Sequence, residues 1–351
     1  MNAQETMQPK VTKETKNKIR VEFERTPLKE RLKEKFLSLF FLKKVVWYIF
    51  RLVLLAGLAF VVLSPFFYRI AESFMSPEDF VDVTVRLIPK HFTLQTYKAV
   101  IIENGYFQAF KNTLFLSLTC AILQTLSCCL VGYGLAKFKF RGNKLVFFLV
   151  ILTMVIPHFS MQFSFSLNFT YFGEGFFGFL HAIHLVPDKL ANGVNLMNTY
   201  WPMMLLSITS LALKNGLYIF LFRQFFRGVP DELEESAYID GSGIFRTFVQ
   251  IILPLSVPMM ITVFLFSFCW QWTDALYTEK MFMPSADVSL LMKLREKIPM
   301  SLDIDFAAQD AYKTAIRGTN GILIILPLII LYAFCQKFLV QGIERSGLTA
   351  D

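Results

Sequence analysis

Six stretches of about twenty predominantly apolar residues divide this sequence, the length that carries a helix across a hydrocarbon core of ~30 Å. They fall near residues 46–68, 113–136, 145–166, 201–222, 247–270 and 319–338. The fold class expected is all-α integral membrane, with six transmembrane helices. Composition agrees: hydrophobic residues make up 54% of the 351 and charged residues 18%, where soluble domains carry about 25% charged. A soluble enzyme is excluded.

Charge orients the spans. The net charge is +8, and its placement says more than its size. Lys10, Lys13, Lys16, Lys18, Arg20 and others crowd the residues before the first span, and Lys137, Lys139, Arg141 and Lys144 fill the short loop after the second. Basic loops stay on the cytoplasmic side, so both termini and the loops 137–144 and 223–246 are expected there, in a multi-pass protein of a bacterial-type cell membrane. Segments 69–112, 167–200 and 271–318 balance acid against base and are expected outside. The basic residues read as attraction to anionic lipid, not to nucleic acid.

Two regions result. Residues 1–44 form a cytoplasmic basic tail: polar to residue 25, then a helix opened by Thr26-Pro27 with Leu28, Leu32, Phe36, Leu39 and Phe40 on one face, the pattern of a helix lying on the membrane surface. Residues 45–351 form the transmembrane domain. The five cysteines (Cys120, Cys128, Cys129, Cys269, Cys335) lie in apolar stretches without metal spacing, so neither a disulfide framework nor a zinc site is expected. His181 and His184 stand three apart with no third ligand nearby, and no metal site is assigned.

The informative stretch runs from Phe222 to Pro258 on the cytoplasmic side. Pro230 opens a short helix, Asp231, Glu232, Glu234 and Glu235 occupy its first turns, where the positive end of the helix dipole favours them. Leu233 and Ala237 fall four apart on one face. Gly241 stops the helix where the turn needs a residue without Cβ, and Ser242 is placed to cap the next helix. A short helix joined rigidly to a spanning helix suits docking to a soluble partner.

The spacing Glu235-Ser236-Ala237, then Gly241, then Ile251 and Leu253-Pro254 resembles the EAA loop of ABC importer permeases; Ser236 departs from the usual alanine. Phe222-Arg223-Gln224-Phe225-Phe226, Leu87-Ile88-Pro89, Asn198-Thr199-Tyr200-Trp201, Trp270-Gln271-Trp272-Thr273-Asp274 and the tail Gln341-Gly342 to Gly347-Leu348-Thr349 are similar to carbohydrate-uptake permeases of the kind represented by the smaller membrane subunit of the maltose importer. The connection between Pro157 and Asn198, with Phe172-Gly173-Glu174-Gly175 and His181-Ala182-Ile183-His184, is longer than that resemblance leads one to expect.

The resemblance implies an ABC type I importer permease fold and no chemistry of its own. It implies a second homologous permease, two copies of a cytoplasmic ATPase and an extracellular solute-binding protein as partners, with membrane lipid around them. ATP and Mg belong to the ATPase, in keeping with the absence of a Gly-x-x-x-x-Gly-Lys-Ser/Thr loop here. Residues 229–241 become the coupling helix, in which Glu235 pairs with a basic group of the ATPase, Ala237 permits close approach, and Ser236, Asp240, Gly241, Leu233, Ile251, Leu253 and Pro254 complete the motif. The external loop 271–318 corresponds in position to one that reaches the binding protein, with Asp303, Asp305 and Asp310 as candidate contacts. Gln124, Trp270, Gln271 and Trp272 are candidates for the translocation path, since amides and aromatic faces suit hydroxylated rings.

Three other classes compete. A secondary transporter calls for inverted repeats and ionisable residues at mid-span, and neither is found. A membrane-embedded enzyme needs a paired acid and base or a metal set within the spans, which His158 and the scattered polar groups do not assemble. An ABC permease for a polyol, a phosphorylated sugar or a peptide shares the coupling motif and stays open.

Overall fold

The computed structural model describes residues 39–183, 187, 192–212, 214–282, 288–306 and 308–347. The basic tail and its surface helix fall almost wholly outside them, as does His184. The described chain is helical, with two isolated β-bridges, Met75 to Phe92 and Phe172 to Val194. In order the helices are α1 (Leu39–Glu72), α2 (Gln95–Glu103), α3 (Tyr106–Lys137), α4 (Asn143–Val155), α5 (His158–Thr170), α6 (Glu174–Ala182), α7 (Trp201–Ile208), α8 (Asn215–Arg227), α9 (Glu232–Ile239), α10 (Ile244–Trp272), α11 (Leu276–Met281), α12 (Leu291–Leu294) and α13 (Gln309–Gly347). Two compact units divide the chain, Met1–Phe67 and Tyr68–Asp351. The described part of the first is α1 alone, apolar on every side, the composition of a helix surrounded by lipid.

Among the described residues four helices are long and apolar enough to cross a membrane: Lys43–Glu72 of α1, α3, α10 and Gln309–Lys337 of α13. The other two expected spans are broken. Between α4 and α5 the axis turns by 102°. Ile156 and Pro157 are both extended there, with ψ 124° and 119°. Proline pushes its predecessor out of the helical region and has no N–H to bond the preceding turn, so residues 145–166 form two helices at a corner.

The stretch 201–222 is broken by a cap. Leu211 N–H reaches Leu206 O at 2.9 Å, Ser210 N–H reaches Ser207 O at 3.4 Å, and Ser210 sits at φ 58°. That is the bond pattern of a Schellman stop, with serine in the left-handed position glycine usually takes. The chain restarts as α8 at Asn215, and Lys214 lies in the gap between the two helices.

Within the second unit α3 is the spine. One core packs its first turns and α2 against the end of α10, α12 and α13, through Tyr106, Val100, Trp272, Leu291 and Tyr312. The opposite end of α3 packs on α8 and the start of α10 through Cys129, Tyr133, Phe222, Phe226 and Ile252. Its small-residue stripe, Ser117, Ala121, Thr125 and Cys129, is buried throughout, as helix packing requires. The segments 95–113 and 289–320 are stitched together by side chains: Asn104 and Asn320 both donate to Lys297 O (3.2 and 2.9 Å), Asn112 to Ser289 O (2.9 Å), and Leu291 N–H to Thr113 Oγ1 (2.9 Å). Beside them Asp79 is buried and accepts from His91 N (3.0 Å) and His91 Nδ1 (2.7 Å). Burial alone raises the Asp79 carboxyl, yet the bonds from His91 outweigh it and hold it below the ordinary aspartate range.

Close approach of α3 and α8 depends on Gly132. A Cβ there meets Phe222 Cβ at 2.5 Å and Arg223 N at 3.0 Å, backbone-anchored atoms that cannot swing aside. Gly132→Ala should therefore destabilise the second unit by about 1–3 kcal/mol, the cost of overpacking a tight core. The thermal midpoint of the detergent-solubilised protein measures it. Gly134→Ala, whose added Cβ meets only Phe138 Cδ2 at 4.0 Å, should hold or raise that midpoint, since alanine favours the helix over glycine.

Candidate functional site

The acidic segment forms the helix expected, shorter at both ends: α9 spans Glu232–Ile239 with Asp231 at its N-cap. At its far end Ser242 N–H bonds Ala237 O (2.9 Å) and Gly241 N–H bonds Tyr238 O (3.0 Å), with Gly241 at φ 82°. These are the two bonds of a Schellman motif with glycine at its left-handed position. Nothing lies within 4 Å of a Cβ built on Gly241, so backbone conformation alone demands glycine there. Ser242 does not cap the next helix; Gly243 holds that position without a side chain, and Ser242 Oγ instead accepts from Thr247 Oγ1 at 3.1 Å.

A single lysine holds α9 on the membrane domain. Lys137, the last residue of α3, is almost fully buried and donates to Val229 O (2.7 Å) and Asp231 Oδ1 (2.6 Å), with Glu234 Oε1 at 3.9 Å. Burial pushes the Glu234 carboxyl above its ordinary range, Lys137 opposes this, and Asp231 adds to it. Asp231 itself is held low by its bond from Lys137. The strut thus joins three points at the start of α9 to the end of a spanning helix.

Burial separates the two faces of α9. Glu234 and Ala237, three apart, are turned inward. Leu233 does not share their face: it is exposed, with Ile239 (86% exposed) and, after the turn, Ile244 and Phe245 (78%). The small size of Ala237 therefore serves packing within this chain. Glu235 and Asp240 are exposed, and the side chain of Glu235 meets no basic group among the described residues. Ser236 is exposed too, its hydroxyl bonded back to Glu232 O at 2.7 Å. The remaining motif residues lie in α10. Phe248–Ile252 is a π-turn that leads into Leu253-Pro254; Pro254 cannot donate to the preceding turn, and Ile251 and Leu253 pack beside Tyr133 and Phe226. No pattern in the sequence marks this wider turn except the proline.

Three of the four path candidates, Gln124, Trp270 and Gln271, line one cleft, and Trp272 does not. Gln124 is buried and ties three helices, donating to Ser207 Oγ (3.2 Å) and accepting from Ser267 Oγ (2.6 Å). Trp272 is a core residue whose indole N–H bonds Ile324 O at 2.9 Å. Trp270 and Gln271 line a narrow cleft of about 20 Å³. Beyond it, at the corner between α4 and α5, lies a cavity of about 280 Å³ walled by Thr153, Met154 and His158 on one side and Ser210, Ala212 and Lys214 on the other. Lys214 lines both spaces. It corrects the expectation of no ionisable residue at mid-span, for it lies inside the stretch 201–222 and was legible there as a lone charge.

The three loop aspartates each stand near the start of α13. Asp303 pairs with Lys313 (2.7 Å), Asp305 accepts from Gln309 (2.7 Å), and Asp310 stands in the first turn of α13. Among the described residues no three His, Cys, Asp or Glu side chains group as metal ligands.

Comparison with known proteins follows the same lines. Protein LplC of Bacillus subtilis (strain 168) is 29% identical over 83% of this chain and 90% of its own length. The arabinooligosaccharides transport system permease protein AraQ of the same organism is 27% identical over 83% and 92%. The alpha-glucoside transport system permease protein AglG of Rhizobium meliloti (strain 1021) is 30% identical over 74% of this chain and 61% of its own. The fold is shared with a chain of a bacterial ABC transporter involved in the import of the acidic polysaccharide alginate, with a TM-score of 0.64 at 20% identity, over 84% of this chain and 97% of that one. The family model described as binding-protein-dependent transport system inner membrane component matches residues 129–345. Those residues hold the Lys137 strut, α9 and both helix breaks, and the chain belongs to that family.

Proposed function

We propose that this permease imports sugars or oligosaccharides, and that α9 is the coupling helix through which an ATPase drives it. The chain is a transport component of the cell membrane and not an enzyme. One observation carries the coupling reading: a short helix stopped by a left-handed glycine presents Leu233, Glu235 and Ile239 outward, with Phe245 exposed just after the turn, while its other face is fixed to a spanning helix by Lys137. An exposed apolar patch rimmed by carboxylates suits a groove on a soluble partner. Motion of that partner then reaches the membrane domain without slack.

A saccharide cargo is supported by the relatives, named for arabinooligosaccharide and alpha-glucoside transport. Six spans with both termini cytoplasmic belong to this reading: four whole helices and the bent pair α4–α5 support five by length and composition, and the interrupted pair α7–α8 is taken as the sixth. An even number returns the chain to the side it started from. The complete importer in this reading holds a second permease, two ATPase subunits carrying ATP and Mg, and an external binding protein that meets the layer built from 69–112 and 271–318.

Purification of the tagged protein from its native membrane in mild detergent, with mass spectrometry of what accompanies it, tests the reading. Wild type should bring an ATPase and a second permease. A Glu235→Ala/Gly241→Val double variant should keep the permease and lose the ATPase; a chain that purifies alone in both forms would overturn the assignment. Gly241→Val on its own places a β-branched residue at φ 82°, a strain of roughly 1–2 kcal/mol or more, and should abolish uptake while leaving membrane insertion intact.

Lys137→Met removes the strut and leaves Val229 O and Glu234 without their cation, a cost of about 1–3 kcal/mol. Uptake and binding-protein-stimulated ATP hydrolysis should fall together at least about fivefold, since a shift of 1 kcal/mol already changes an equilibrium by that factor. Equal ATP hydrolysis in Lys137→Met and wild type would remove Lys137 from the coupling path.

A further inference from the structure

Two broken helices meet at one cavity. The corner between α4 and α5 supplies Thr153, Met154 and His158, and the gap between α7 and α8 supplies Ser210, Ala212 and Lys214. Non-helical backbone at membrane depth is tolerated where it lines a cavity, and a cation there faces the protein interior or water, not lipid. Lys214 meets both conditions. It lies immediately before Asn215, the first residue of α8, where the helix dipole adds positive potential to the ammonium charge.

The groups around it are uncommitted donors. Among the described residues Lys214 pairs with no carboxylate; its ammonium rests over the Trp270 ring at 4.5 Å. Tyr218, 1% exposed, lines the adjoining cleft with a hydroxyl that bonds nothing, and Gln271 lines it with an Nε2 that bonds nothing. Asp274, the one carboxylate of the cleft, is occupied by Tyr277 N–H (3.3 Å), Thr278 N–H (3.1 Å) and the Thr278 hydroxyl (3.3 Å). A neutral hydroxylated ring needs only amides and an aromatic face. An unpaired ammonium among unbonded donors calls for an anion.

We propose that the cargo is an acidic saccharide, and that Lys214 receives its anionic group while Trp270 meets a ring face. This rests on the sugar-permease reading and narrows it. The Lys214 side chain lines both the large cavity and the cleft, so an anion bound in either space lies beside it.

The test uses the complete importer in proteoliposomes with its binding protein. Co-purification of the ATPase and second permease is checked first for wild type, Lys214→Met and Lys214→Arg; a wild type that lacks them removes the permease reading and this proposal with it. A mixed polysaccharide digest is then split by anion exchange into neutral and anionic fractions. Uptake from each is read by mass spectrometry, which also tells carboxylate from sulfate or phosphate. Wild type should import from the anionic fraction. Lys214→Met should slow that import at least about tenfold, as loss of a charge-assisted contact does, and Lys214→Arg should restore most of it. Import of neutral saccharides only, import from neither fraction by an assembled importer, or equal import of anionic saccharides by Lys214→Met and wild type would each overturn the proposal.

Discussion

Every backbone N–H and C=O inside hydrocarbon must find a partner within the protein, because no water is there to take its place. Whole helices such as α3 and α13 satisfy this by themselves. The bent pair α4–α5 and the interrupted pair α7–α8 satisfy it at their ends. Ser210 accepts a left-handed conformation so that Leu211 and its own N–H can close the last turn of α7. Pro157 removes a donor just where the chain turns from α4 into α5. A cation near mid-span costs about 2.5–3.5 kcal/mol on insertion scales, and the break at Lys214 places it in the wall of a cavity among helices. The cavity exists because these breaks coincide.

Packing along α3 fixes where they coincide. Gly132 lets Phe222 of α8 lie against the α3 backbone, and Gly216 does the same for α4, where an added Cβ would meet Thr153 Oγ1 at 2.5 Å and Val150 O at 3.0 Å. The first turn of α8 is thereby held beside the last turns of α4, and the corner at Ile156-Pro157 opens next to the gap at Lys214. Arg223 extends the same contact further along α8, its guanidinium 3.7 Å from the centre of the Phe147 ring.

Length and hydropathy made the spans legible, but not whether each is one helix. Pro157 was visible as a break or kink; the full corner needed Ile156 to turn extended as well, which packing decides. The stop at Ser210 carries no glycine, so no residue advertised it. For α9 the start, the stop and the acidic first turn could all be read from Pro230, Asp231 and Gly241, because capping is local chemistry. Which face turned inward could not: the sequence pairs Leu233 with Ala237, whereas the position of Lys137, far away along the chain, selects Glu234 with Ala237. Trp270 and Trp272 look alike in sequence, and only the partner helix α13 separates them by taking the Trp272 indole.

The same geometry ties α9 to the cavity. α8 begins at Lys214's neighbour and ends at Arg227, a rod of roughly 20 Å at 1.5 Å per residue. Four residues later α9 begins, and in those four Val229 is buried with its carbonyl held by Lys137. A displacement of α9 therefore acts on α8 through covalent chain and on α3 through the strut. The two helices cannot move apart freely, since Gly132 and Phe222 lock them at contact. What can give is the gap at the other end of α8, where a left-handed serine and an extended lysine join two helices without a continuous bond ladder. A displacement of α9 is thus carried along α8 to the break between α7 and α8, where Ser210 and Lys214 line the cavity.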